Sequence, residues 1–196
     1  MWRIRVVRRL TALFLCVAFA VLAVSRTADT PPLSSPFNQR IVAYCKRFIG
    51  KQVGTGECAD LAYRAILDSG AKSPDDFDDS PKPGDYVWGK LVFGYRMDGK
   101  QGVEKGDRRQ VLPGDVVQMR DVIIEHEDQD HEWLTRETID ADHHTAIVLG
   151  VSEDGLTYDI VEQNSNEVPV VSRGRLYLKD MKRGYVLVYR AVADED

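Results

Sequence analysis

The spacing of apolar residues changes period once along this chain, and that change does most to limit the fold. Ahead of Val111 the spacing is helical: Ile41, Val42, Tyr44, Cys45, Phe48 and Ile49 recur three and four apart, and Gly50 closes the run. Leu61, Ala62, Ala65, Ile66 and Leu67 repeat the pattern in a second helix that starts at Cys58 and stops at Gly70. From Val111 onward the period is two. VLPGDVVQM, HTAIVLGV, TYDIVEQN, VPVVSRGRLYL and GYVLVYRAV read as strands, with Glu153-Asp154-Gly155 as a hairpin turn. Helices followed by a run of antiparallel strands give an α+β layout, with the N-terminal helices packed on an antiparallel sheet.

Two stretches fit neither period. Residues 85–93 (DYVWGKLVF) read as a short strand or helix that carries Trp88 to the core or to a cleft. Residues 123–142 are acidic and bear His126 and His131, and they read as a solvated hairpin or lid between two strands. The histidines lack cysteine partners and zinc spacing, so no metal and no cofactor is expected there. The aspartates of residues 73–83 depart from the regular calcium-loop spacing and read as an acidic loop.

The fold does not need all 196 residues. Arg3, Arg5, Arg8 and Arg9 precede an apolar run over 10–24 and small residues at Ala23 and Ser25, the pattern of an export signal over 1–25. That run is about 15 residues, short of the ~20 a membrane span needs, and an uncleaved N-terminal anchor is the alternative. Residues 26–36 are Pro- and Ser-rich and read as a linker, 37–192 as one domain and 193–196 as an acidic tail. A secreted or periplasmic monomer is expected, touching membrane only through an uncleaved N-terminus. Without residues 1–25 there remain 22 basic and 31 acidic side chains, a charge of −9 instead of −5. That argues against nucleic acid or an anionic membrane surface as partner.

Residues 54–68 (GTGECADLAYRAILD) place Cys58 where a glycine turn enters a helix, a setting that favours thiolate through loose N–H groups and the helix dipole. A nucleophilic cysteine also needs a base, and the base needs an orienting group. His143-His144 heads one strand and Glu162-x-Asn164 ends the next, so a tight hairpin between them puts His144 beside Glu162. By strand alternation His144 shares the face of Ala146 and Val148, taken here as the face the helices cover. His144 is therefore the expected base and His143 the alternative. Cys45 reads as a small core residue; a Cys45 to Cys58 disulfide is the competing use of both thiols.

These stretches resemble the CHAP domains, cysteine- and histidine-dependent amidohydrolases and peptidases, and are similar more distantly to NlpC-like cell-wall peptidases and the papain-like fold. The resemblance rests on GECADLAYRAI, Trp88-Gly89, LPGDVVQM, HTAIVLGV and VEQN in that order. It implies a papain-like half-barrel, Cys58 as nucleophile, His144 as base, and Glu162 with Asn164 orienting the imidazole. It also implies an oxyanion hole at the Cys58 N–H, with Gln52 in the position of the papain-like oxyanion glutamine. Glu57 departs from the family's Gln and puts an acid beside the thiol, which raises a thiol pKa. The function expected on this basis is an exported cysteine hydrolase cleaving an amide or peptide bond in peptidoglycan. The alternative is an inactive domain of the same fold that binds wall peptides or a protein partner.

Overall fold

The computed structural model describes residues 34–78, 85–130, 133–165 and 167–194, and at 129–138 the backbone alone. The expected signal segment, residues 1–25, and most of the linker lie outside the described residues. No described helix is long and apolar enough to cross a membrane.

Helix α1 spans Pro36–Phe48. It begins inside the expected linker because Ser35 caps it, the hydroxyl accepting the Asn38 N–H at 3.1 Å, and Pro36 takes the first-turn position where no N–H is needed. Ile41, Tyr44 and Cys45 form its buried stripe, and Lys46 and Arg47 oppose the dipole in the last turn. Helix α2 spans Cys58–Ser69, buries Leu61, Ala62, Ala65 and Ile66, and ends at Gly70.

Among the described residues seven antiparallel strands follow: β1 Lys90–Asp98, β2 Gln101–Gly106, β3 Val116–Asp130, β4 Trp133–Val151, β5 Thr157–Glu162, β6 Ser172–Tyr177 and β7 Met181–Arg190. Their order in the sheet is β2-β1-β7-β3-β4-β5-β6. Residues 85–93 thus hold the start of β1, with Trp88 buried just before it. The acidic stretch is a continuous β3–β4 ladder, paired from Val116 with Ile147 out to Asp130 with Trp133.

Alternation along these strands builds two cores. Val116, Ile147 and Val161 face the helices and meet Ile41, Cys45, Leu61, Ile66 and Trp88. Val117, Ala146, Val148 and Ile160 face the other way. Phe93 on β1 and Leu176 on β6 belong to that second cluster although four strands separate them, so the sheet curls around it. Each fully buried Ile or Leu contributes roughly 1.5–3 kcal/mol. The helices therefore cover the face opposite to Ala146 and Val148, contrary to the face assumed from the sequence.

The Pro-Gly-Asp turn joins the layers. Asp115 is fully buried and accepts from Leu112 N (2.8 Å), Asn38 Nδ2 (2.8 Å) and the Arg190 guanidinium (2.9 and 2.7 Å). Gly114 has φ +91°, and a Cβ there would lie 2.5 Å from the Asn38 carbonyl oxygen, so only glycine lets α1 approach the turn.

Candidate active site

The approach to Cys58 is made by residues 54–57, and Asp60, one turn into α2, holds that turn closed. Its Oδ2 accepts the Thr55 N–H (2.7 Å), the Thr55 hydroxyl (2.7 Å) and the Glu57 N–H (3.3 Å). Burial would raise this carboxyl's pKa, but those donors outweigh it and the net shift is downward. Gly54 has φ +58°, and a Cβ there would lie 2.6 Å from the Asp60 carboxyl carbon. The glycine turn and the acid at the third helical position are one device that presents Cys58 at the helix start.

The His144 side chain hydrogen-bonds the Cys58 thiol, and its Nε2 lies 2.8 Å from Glu162 Oε2. Pairing of Ala146 with Glu162 sets this register. Burial alone would raise the thiol pKa. The hydrogen bond and charge of His144, with the N–H groups of Thr145 and Ala59, outweigh burial and lower it. Burial would lower the His144 pKa, yet bonds to Cys58 and Glu162 raise it to about 9. Sulfur pKa down and imidazole pKa up are two shifts in the same sense, both favouring transfer of the thiol proton to the ring. An adjoining hollow of 440 Å³ includes Met119, Ile139, Asp142, His144, Glu162 and Asn164 in its lining. A larger hollow of 530 Å³, bordered by Lys46, Arg173 and Arg175, contains none of these reacting groups.

Other residues expected at the site stand elsewhere. Asn164 adopts φ +63° and its Nδ2 donates to Glu57 Oε2 at 3.4 Å, so it meets that carboxylate and not the imidazole. Glu57 is exposed, and the thiol pKa is lowered despite it. Gln52 donates to the Gly54 carbonyl at 3.4 Å within its own turn, its carboxamide lying against Gly56. His143 turns to Gln118 Nε2 (3.0 Å) and Asp85 Oδ1 (3.7 Å), away from the sulfur. Cys45 and Cys58 are both free, and burial pushes the Cys45 pKa up to about 12.

Two glutamines at this site were missed in the sequence. Gln118 is fully buried; its Oε1 accepts the Trp88 indole N–H (3.0 Å) and its Nε2 donates to the His144 carbonyl (3.2 Å). Gln163 is equally buried between the turn and β5. The available signal was a glutamine sharing the inward alternation of Val116 in one strand and of Val161 in the other.

A cysteine at a helix start, answered by His and Glu from an antiparallel sheet, defines a papain-like cysteine-proteinase fold. The family model described as "AIM3/BBC1 Cysteine proteinase-fold domain" matches residues 32–195, and the chain belongs to that family. It is 28% identical over 162 residues to "Altered inheritance of mitochondria protein 3" of Debaryomyces hansenii, covering 79% of this chain and 16% of that protein. The chain thus spans about one sixth of the length of the curated relative it matches. No solved structure matches. The matched family is not that of the CHAP or NlpC domains. Nor does the relative, a eukaryotic protein, support a peptidoglycan substrate, a cell-wall role or a secreted hydrolase; the expected exported wall hydrolase is overturned.

Proposed function

We propose that this domain binds a segment of a partner protein in the groove lined by His144 and Glu162. The observation that carries this reading is the 440 Å³ hollow, which joins apolar Met119 and Ile139 to the polar groups around His144 and Glu162. The family supports it too: the chain corresponds to a small part of a much longer relative, as expected of a recognition module.

The lowered pKa of the Cys58 thiol favours a second reading, in which the bound segment is also a substrate. Cys58 would add to a carbonyl carbon and the His144 imidazolium would protonate the departing amine. Water deprotonated by His144 would then release the acyl group from sulfur. This is cysteine peptidase or amidohydrolase chemistry on a protein. Within the papain-like class, the ordered GECADL, LPGD, HTAIV and EQN stretches favour the CHAP-like half-barrel arrangement.

Panning a displayed peptide library on a Cys58→Ala domain tests the binding reading. Enriched peptides should lose binding when Ile139→Arg fills the groove; peptides indifferent to that change, or no enrichment, contradict it. The same peptides with the unaltered domain test the second reading. Cleavage that requires Cys58 supports it, and intact peptides exclude it for these sequences.

A further inference from the structure

Gln163 follows Glu162 at the end of β5 and is fully buried. Its carboxamide makes three hydrogen bonds. Oε1 accepts the Val53 N–H at 2.7 Å, while Nε2 donates to the carbonyls of Val53 (3.0 Å) and Glu57 (2.8 Å). Those partners bracket the glycine turn, and Glu57 is the N-cap residue directly before Cys58. Glu162, on the other side of the peptide bond, holds the His144 ring. One buried side chain therefore ties the backbone that carries the thiol to the strand that carries the imidazole's partner.

We propose that Gln163 is a positioning residue that sets the approach of Cys58 to His144. It acts through the turn, since among the described residues its polar atoms bond Val53 and Glu57. The apolar stripe of α2 begins at Leu61 and seats the body of the helix, leaving the depth of its first residue to the turn. Catalytic geometry tolerates roughly 0.5 Å of error, which makes such a tie consequential. The donor and acceptor pattern is specific to a carboxamide. An ionised Glu of the same shape would set an oxygen against two carbonyls and bury a charge.

The inference rests on the Gln163 bonds to the turn and on the pairing of Cys58 with His144, and is independent of any partner. In a Cys16→Ser background, the pH dependence of iodoacetamide alkylation reports Cys58, because Cys45 is buried with its pKa near 12. The parent should alkylate with an inflection below the ordinary ~8.5. Gln163→Ala and Gln163→Glu should move that inflection up by about one pH unit or more, lowering the rate at pH 6.5 by about tenfold. Folding is followed in parallel by circular dichroism. A folded variant with the parent's profile overturns the role of Gln163 alone. A parent with an ordinary inflection overturns both that role and the thiolate beneath it. If neither variant folds, amide exchange at Val53 in the parent decides: slow exchange supports the tie, and rapid exchange overturns it.

Discussion

His144 Nε2 lies 2.8 Å from Glu162 Oε2, joining two adjacent strands through side chains eighteen residues apart. The contact favours the charged imidazole. With the sulfur it raises the His144 pKa from its ordinary 6.5 to about 9, against the opposing effect of burial.

Replacing Glu162 with Gln should lower the His144 pKa, read from the ring proton in an NMR titration. It should also cost stability in a pH-dependent way. A pKa raised on folding contributes stability that is fully present below ~6.5, the unfolded value, and is lost as pH rises through about 9. Urea denaturation should therefore show a larger loss at pH 6 than at pH 9.5, of about 1.5–3 kcal/mol at the acid end.

Asp115 ties α1, the Pro-Gly-Asp turn and β7 together from a fully buried position. Asp115→Ala strips Arg190 of its carboxylate and leaves the Leu112 N–H unpaired. A loss of about 3–5 kcal/mol is expected, measured as a shift of the urea midpoint at unchanged slope.

The two described cysteines should differ sharply toward electrophiles. Cys45 is inaccessible and its pKa is pushed up to about 12, whereas the Cys58 pKa is lowered. Brief alkylation at pH 7 followed by peptide mass spectrometry should find label on Cys58 and none on Cys45.

Much of this arrangement is legible in the sequence because its signals are local. The stripes of α1 and α2, the hairpin after Val151 and the neighbouring of His144 with Glu162 follow from periodicity and turn chemistry. The hairpin of β1 with β2 is hidden because β2, reading QGVEKG, is largely exposed and has no inward apolar face. The choice of covered face fails because a curled sheet buries both of its faces, so alternation alone cannot say which one meets the helices. Gln118 and Gln163 act through bonds to residues 25 to 110 positions away, which no local pattern reports. The supposed wall substrate fails for a different reason. The residues read from the sequence belong to the reacting centre, while the ligand is chosen by the groove, whose lining includes Met119, Ile139 and Asp142 from β3 and β4.

The most direct test of the thiolate–imidazolium pair is the ultraviolet thiolate absorbance of the unaltered domain minus that of Cys58→Ser, followed across pH. Because the thiol pKa is lowered and the His144 pKa is raised to about 9, thiolate should appear below the ordinary ~8.5, while the ring is still protonated. A single absorbance step at ~8.5 or above, with none at neutral pH, would mean that Cys58 is an ordinary thiol and would contradict the account.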